Sequence, residues 1–544
     1  MVIVGAGFAG LYMLQKLRTA GLRCVVIEAG DDVGGTWYWN RYPGARCDVE
    51  SVHYSYSFSA ELDQEWTWTE RYAGQPEILR YLQHVADRFD LRRDIQFSTR
   101  VASAAFDEGT LRWDVTTKTG DTYNARFCIM ATGCLSTINR PDIAGCADFQ
   151  GPIYHTGNWP HEKVDFTGLR VGIIGTGSSA CQAIPLIANE ARELIVLQRT
   201  PNHCVPAHNH PLPHDYVEHI KSRYPELRRK WRESEAGSNY PIGNRSALEV
   251  TPHELDLTYQ YRWDVGGIPF LTAFDDILLD AAANATAANF VTRKIGDIVI
   301  DPEAARRLTP THHPIGAKRI CIVTDYYETF NRDNVRLISV RETPIERILP
   351  GGIALVGEHI PLDALIFATG FDTMTGSLMA MDIRGRRGTP LREAWADEPA
   401  TYLGLMVADF PNMFLITGPG SPSVLSVMTM TIEQHVEWIA ECIDTLEREG
   451  VDVIEASPEA QREWTDHVHA VANQTLYPAA NTWYTNANIE GKRRGFNIYV
   501  GGYRDYDQHL ERVRRERYAG FILTSQRHSE PASQFPERSA AIPN

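Results

Sequence analysis

The chain opens on a short unbroken apolar run from Met1 to Val4, and GAGFAG follows it directly. From about Phe8 to Ala20 apolar residues recur every three or four positions, and a second apolar run spans Cys24 to Glu28. Short continuous apolar runs suit strands buried on both faces, and the 3.6-residue recurrence suits a helix packed on one side, so the segment predicts a βαβ unit with parallel strands. The same order returns at Arg170: VGIIG, a helix from Ser178 to about Asn189, and a strand from Leu194 to Gln198. Further strands are expected at FCIM, VRLISV and ALIF, and a long helix, about Ile432 to Glu449, after GPGSPS. Between about Asn209 and Ala305 the pattern shifts to charged and aromatic stretches such as HDYVEHIKSRYPELRRKWRE, which predict a helical insertion. SQRHSEPASQFPERSAAIPN is polar and Pro-bearing, the composition of a disordered tail.

The glycines give the two units a purpose. Gly5, Gly7 and Gly10 follow a strand and open a helix, and Glu28 ends the next strand. In the dinucleotide fingerprint the first glycine makes the tight turn, the second admits the pyrophosphate, the third lets helix and strand pack, and the acid accepts from ribose hydroxyls. The helix N-terminus adds N–H donors and partial positive charge. The second unit, GTGSSA, offers Gly175, Gly177, Ser178 and Ala180, but its second strand ends in Gln198, Arg199 and Thr200. Replacing the acid by Arg199 with Thr200 suits the 2′-phosphate of NADP, with Lys318 as a further cation, although an exposed arginine is also an ordinary surface residue. Two ATG triplets, 131–133 and 368–370, each close an apolar strand, as in flavoproteins with two dinucleotide domains. The expected fold class is therefore α/β, with two Rossmann-like domains. An FAD domain from 1–138 and 373–524 pairs with an NADPH domain from 139–208 and 311–372, the latter carrying the helical insertion 209–310, and 525–544 forms the tail. Such a pair implies hydride transfer from nicotinamide to flavin.

Composition narrows the partners. At 544 residues the chain exceeds one hydrophobic core. Its 53 Lys plus Arg stand against 69 Asp plus Glu, and the net charge of −16 repels polyanions, which argues against nucleic acid. Nine scattered cysteines, with no CxxC pair and no zinc-type spacing, read as reduced thiols in a cytoplasm, and no metal is expected. No window approaches the ~20 apolar residues of a membrane span, and the opening strand predicts no signal peptide ahead of it, an upstream segment outside this numbering being the open alternative. The expected state is a monomer or weak homo-oligomer.

Between the glycine motifs, FQGPIYHTGNWP places Phe149, Gly151, His155, Trp159 and Pro160 at the spacing F-x-G-x-x-x-H-x-x-x-W-P. This resembles the fingerprint of the type I Baeyer-Villiger monooxygenases. GGTWYWNRYPGARCD, with Gly35, Thr36, Trp37 and Asp48, is similar to the same family's second signature, and the likeness continues through GAKR, GPGSPSVLS and NTWYTNANIEGK. Members acting on phenylacetone and steroid ketones look nearest. The resemblance implies FAD, NADPH and O2 as reactants: a peroxyflavin attacks a small-molecule ketone, yields an ester or lactone, and leaves sulfoxidation as a side activity. It also makes Arg319 the active-site arginine and Asp48 the carboxylate that holds it. A guanidinium cannot give up its proton at working pH, so it can steady anionic oxygen without quenching it. From the residues alone, either could instead belong to a structural ion pair, the reading to prefer without the motif.

By the same resemblance His155 and Trp159 belong to an interdomain linker, the histidine's other reading being a general base. Trp483 stands for the late-loop tryptophan near NADP, unless it caps a core. Ser421, Pro422, Ser423, Val424, Leu425 and Ser426 stand for a loop bordering the substrate. Val427 departs from the asparagine of close relatives and His161 from the usual charged residue, so fine specificity does not carry over. Three rivals remain. An N- or S-hydroxylating flavin monooxygenase shares both glycine motifs but is opposed by Trp159-Pro160 and the Asp48 signature. A disulfide reductase would need a close cysteine pair. A non-catalytic flavin-binding protein predicts a damaged centre.

Overall fold

Two five-stranded parallel sheets organise the chain, whose computed structural model describes residues 1–238 and 240–525. The first runs Met413–Leu415, Cys128–Met130, Val2–Val4, Val25–Ile27, Ile95–Gln96. The second runs Val335–Ser339, Glu193–Gln198, Arg170–Ile174, Ala364–Phe367, Ile153–His155. In each, the strand that leads into the glycine turn is central, and the helix after it, Phe8–Thr19 or Ser178–Glu190, covers one face. Ligands of open parallel sheets sit at the carboxyl ends of such strands, so each turn opens onto the ligand-binding edge of its own sheet. The chain leaves the first sheet after Cys128–Met130 and returns to pair beside that strand through Met413–Leu415.

The long helix is Met428–Glu449, four residues longer at its start than the pattern suggests. Thr429 and Thr431 are buried although polar, so burial there does not show as an apolar stripe. The insertion carries helices His214–Arg232, Pro252–Val265, Ala281–Ile298 and Pro302–Leu308. Its first helix packs on the core of the first sheet through Tyr224, Leu227 and Trp231, and Arg228 there meets Asp63 at 2.8 Å, both buried. The later part of the insertion joins the core of the second sheet through Tyr259 and Phe290 of its helices and Phe270 of the turn Ile268–Thr272 between them.

Two antiparallel additions escape the apolar pattern. Val101–Asp107, Arg112–Thr117 and Thr122–Ala125 form a sheet that Asp382–Arg384 joins, and Ile345–Leu349, Gly352–Leu355 and Glu358–Pro361 form another. Apart from the buried Gly352–Leu355, these strands are partly exposed and short, so their polar residues mask the alternation. The expected tail lies outside the described residues from 526 onward. Among the described residues no helix is long and apolar enough to cross a membrane.

Candidate active site

At the first turn Gly5 has φ +105°, and a Cβ there would stand 2.6 Å from the Ala131 carbonyl oxygen. A Cβ on Gly10 would stand 1.8 Å from the Gly5 oxygen, so only glycine lets helix and strand close. Gly7 faces Gly35, whose Cα would lie 3.3 Å from an added Cβ, and Gly35 has φ +52°. The helical turn Thr36–Trp39 follows, with Trp37 Nε1 donating to the Tyr54 hydroxyl at 3.2 Å. Glu28 is buried and accepts from the Ala6 N–H at 2.6 Å and the Gly30 N–H at 2.7 Å. Burial pushes its carboxyl above the ordinary range despite these donors.

The second turn repeats the geometry with one difference. Gly175 has φ +118° and its Cβ would meet the Ala368 oxygen at 2.3 Å, but a Cβ on Gly177 would meet nothing within 4 Å. Arg199 is exposed at the end of its strand, and Thr200 Oγ1 accepts from Arg341 Nη2 at 3.0 Å. Arg341 was not singled out in the sequence. It enters because Val335–Ser339 pairs with Glu193–Gln198 in parallel register, Gln198 opposite Ser339, which sets the residues after each strand side by side. Burial pulls the Lys318 ammonium below its ordinary pKa, and burial with the nearby His203 and Lys318 pulls His313 down to about 3.

Both turns open into one cavity of about 1610 Å³, lined by Gly5, Gly7, Glu28, Thr36, Asp48, Gly175, Gly177, Ser178, Arg199, Thr200, Lys318, Arg319 and Trp483. That exceeds the ~300–1,000 Å³ of an ordinary ligand pocket. It is room on the scale of two dinucleotides, and the glycine cradles and the open space at Gly177 suit pyrophosphates.

Within this cavity Arg319 Nε donates to Asp48 Oδ2 at 2.6 Å and Nη2 to Asp48 Oδ1 at 2.8 Å, a two-pronged pair, while Nη1 donates to the Val424 carbonyl at 2.6 Å. The side chains are 22% and 25% exposed, which leaves the pair facing the cavity rather than sealed in the core. Burial alone would raise the Asp48 carboxyl, but the guanidinium overrides it and holds the carboxyl below its usual range. Burial opposes the charge on Arg319, and Asp48 restores it with interest, so the guanidinium stays charged at any working pH. Tyr484 sits against the same guanidinium, and burial raises its phenol to about 12. Tyr484 is a site residue that sequence reasoning passed over, although it directly follows Trp483.

The other expected residues divide. Of the loop 421–426 only Val424 and Ser426 line the cavity. Ser421 and Ser423 are buried, bonding to the Gly418 oxygen at 2.7 Å and the Met374 sulfur at 3.8 Å. Trp483 is half-buried and its carbonyl accepts from Thr373. His155 is buried outside the cavity lining: Nδ1 accepts from the Gly157 N–H at 3.0 Å, and Nε2 lies 3.2 Å from the Asn139 oxygen and 3.3 Å from Thr369 Oγ1. Burial lowers its pKa, which keeps the ring neutral, and the accepting Nδ1 leaves the proton on Nε2. The ring thus fastens the 139 crossing to the second ATG turn. Trp159 packs on Tyr154 and Phe166, and its backbone N–H reaches the Trp39 carbonyl oxygen at 3.3 Å, with Pro160 directly after it. Gly151 is required because a Cβ would stand 2.4 Å from the Asp363 oxygen, and Phe149 is buried beside it.

Comparison with known proteins agrees with this build. Residues 2–222 match the family described as pyridine nucleotide-disulphide oxidoreductase. A Baeyer-Villiger monooxygenase of Pseudooceanicola batsensis is 41% identical over 525 residues, 96% of this chain and 95% of that protein. The chain belongs to the Baeyer-Villiger monooxygenase family. A solved structure of an oxidized steroid monooxygenase bound to NADP superposes with a TM-score of 0.92 at 50% identity, covering 96% of this chain and 99% of that one. Within the same range lies a phenazine N-monooxygenase of Lysobacter antibioticus, 43% identical over 536 residues, 98% of this chain and 97% of that protein.

Proposed function

We propose that the chain oxygenates ketones to esters or lactones with FAD, NADPH and O2, and that Arg319 is its central catalytic residue. The observation that carries this reading is the Arg319–Asp48 pair, two hydrogen bonds of 2.6 and 2.8 Å standing in the wall of a cavity shared by both glycine turns. The bound cofactors supply hydride transfer, activation of O2 and delivery of one oxygen atom beside the ketone carbonyl, the other leaving as water. The protein's own share is to bind, orient and compensate charge. Asp48, kept ionised, fixes the plane of the guanidinium, and the Val424 carbonyl fixes its rotation. A fork so anchored offers its remaining N–H groups to oxygen atoms as they become negative, with no reorganisation at that moment. Because Arg319 cannot lose its proton, it stabilises an anion without protonating it.

Gly5, Gly7, Gly10, Glu28, Gly35, Thr36 and Trp37 are assigned to FAD. Gly175, Gly177, Ser178, Arg199, Thr200 and Lys318 are assigned to NADPH, with Trp483 near the nicotinamide. Phe149, Gly151, His155, Trp159 and Pro160 act as linker, and the domain limits given from sequence are kept in this reading. Support for Arg199 is its exposure at the carboxyl end of its strand, where the anion-specific 2′-phosphate of NADPH falls in this fold. The test is NADPH consumption over a panel of cyclic, aryl and steroid ketones, with mass analysis for a gain of one oxygen. Absence of oxygenated product from every ketone would refute the assignment. A second reading, oxygen transfer to an aromatic ring nitrogen, is favoured by the phenazine N-monooxygenase relative. The same panel extended to N-heterocycles decides between them.

A further inference from the structure

The nine cysteines look scattered in sequence, yet folding gathers three of them. Cys181 comes from the first turns of helix Ser178–Glu190, Cys204 opens strand Cys204–Pro206, and Cys321 opens strand Cys321–Val323, paired in register with Cys204. Their three Sγ atoms all lie within 4.8 Å of one another, and Cys181 Sγ is 3.9 Å from Cys204 Sγ. The sulfur edge of a tetrahedron with metal–sulfur bonds of ~2.3 Å is about 3.8 Å. One pair of the three already stands at that separation, and the third sulfur needs to move by no more than about 1 Å. All three are free thiols and fully buried.

The surroundings are built for an anionic sulfur. Asn202 Nδ2 donates to Cys321 Sγ at 2.9 Å and Ser178 Oγ stands 3.5 Å from the same atom. Lys318, three residues before Cys321, is the cation next to the cluster. A buried oxygen nearby, Oδ1 of the same Asn202 amide, has no hydrogen-bond partner, and the Tyr327 hydroxyl stands against Cys204. An unpaired buried oxygen costs about 1–3 kcal/mol, so a ligand for it is the economical explanation. Ser178, Asn202 and Lys318 also line the large cavity, which puts solvent one side chain away from the sulfurs and gives an ion its way in.

We propose that Cys181, Cys204 and Cys321 form a binding site for one thiophilic d10 metal ion in the wall of the NADPH-side turn, with an oxygen ligand, Asn202 Oδ1 or water, in the fourth position. Binding deprotonates the thiols and releases their protons to solvent, and no oxidant or reductant takes part. Charge favours the divalent ion: Zn²⁺ with three thiolates and the Lys318 ammonium sums to zero, whereas Cu⁺ leaves a net negative charge in a buried place, and uncompensated buried charge is costly. None of the three sulfurs lines the cavity, but Ser178 and Lys318 beside them are assigned above to NADPH, so the site adjoins the cofactor-binding wall.

The test uses the full-length, tag-free, FAD-loaded protein after chelation and reduction, titrated anaerobically with Zn²⁺ in one arm and Cu⁺ in the other. One equivalent retained through gel filtration is expected, with Zn²⁺ the preferred ion. Cys204→Ala is expected to weaken retention by more than the ~100-fold that outer-shell partners of a metal are worth. If that variant does not fold, X-ray absorption on the wild-type complex decides by itself: a shell of three sulfurs at ~2.3 Å supports the site. A shell of nitrogen and oxygen only, no stoichiometric binding of either ion, retention unchanged in Cys204→Ala, or a disulfide among the three cysteines in the reduced protein would each overturn the proposal.

Discussion

Arg319→Ala separates oxygen insertion from mere consumption of NADPH. The substitution removes both hydrogen bonds to Asp48 and the one to the Val424 carbonyl, and leaves a buried carboxylate whose main counterweight to burial was the guanidinium. Losing one preorganised charge stabiliser costs on the order of 10²- to 10³-fold in rate, about 2.7–4 kcal/mol of barrier. Orphaning a buried carboxylate costs stability of about 3–5 kcal/mol at most, and less here because the pair is about one quarter exposed. Asp48 then takes up a proton more readily, so part of that loss is relieved. The variant should therefore fold, keep its flavin, and oxidise NADPH while making hydrogen peroxide in place of ester. The assay is product formed per NADPH consumed, with peroxide quantified in parallel, on one ketone accepted by the wild type. Arg319→Lys, which keeps the charge but loses the fork, should fall between the two. Ester yield within a few-fold of wild type in Arg319→Ala would refute the role, and attention would move to Tyr484.

The preference for NADPH over NADH should fall ~10- to 100-fold in Arg199→Ala, the worth of a charge-assisted hydrogen bond of ~1.5–3 kcal/mol, as measured by the ratio of kcat/KM for the two nucleotides. Arg341→Ala should lower the same ratio by less, since Arg341 is joined to this site through Thr200; no change in either variant would move the phosphate site elsewhere. For acid sensitivity, His435 is fully buried and burial pushes its ring down to about 3 from 6.5. Between those values the unfolded chain binds a proton that the folded chain refuses, so stability falls as pH drops below ~6.5, by up to ~1.4 kcal/mol per pH unit. Denaturant midpoints of His435→Gln measured against pH should show a correspondingly shallower acid slope.

The central βαβ units were legible because their strands are buried on both faces and read as unbroken apolar runs, while their turns need glycine. VGIIG and GTGSSA needed no tertiary knowledge. The antiparallel additions were not legible: RWDVTT alternates buried and half-buried positions, and its polar residues resemble a loop. The insertion showed as helical, but which core each helix joins depends on contacts such as Arg228 with Asp63, 165 residues apart. At the site, Arg319 and Asp48 came from a resemblance, because 271 residues separate two groups that meet only through folding. Arg341 and the three cysteines were invisible for the same reason, strand register being the information that sequence spacing lacks. Within 421–426 the resemblance marked a loop, and the structure turns only Val424 and Ser426 to the cavity.

The two glycine turns, which share their first two glycines, differ in what stands opposite the second of them, and that difference bears on how firmly each nucleotide is held. Gly7 is faced by Gly35, itself held at φ +52° on the segment that leads into Thr36–Trp39, so the first turn is roofed by backbone. Gly177 is faced by nothing within 4 Å. A nucleotide under a roof leaves only when backbone moves, whereas one on an open turn exchanges by diffusion, as a prosthetic group and a co-substrate respectively should. FAD is therefore expected to stay through gel filtration and dialysis while NADP⁺ is removed, and flavin absorbance of the eluted protein reads this directly. Gly177→Ala adds a methyl group that the protein alone can accommodate. The variant should fold with wild-type flavin content yet show KM for NADPH raised on the order of 10- to 100-fold, because the methyl occupies the space assigned to the pyrophosphate and displaces it by about 1 Å. Gly10→Ala, whose Cβ would stand 1.8 Å from the Gly5 oxygen, should instead lose flavin and fold poorly. Normal NADPH kinetics in Gly177→Ala would mean that the phosphates do not approach this turn, and the assignment of the second nucleotide site would fall with it.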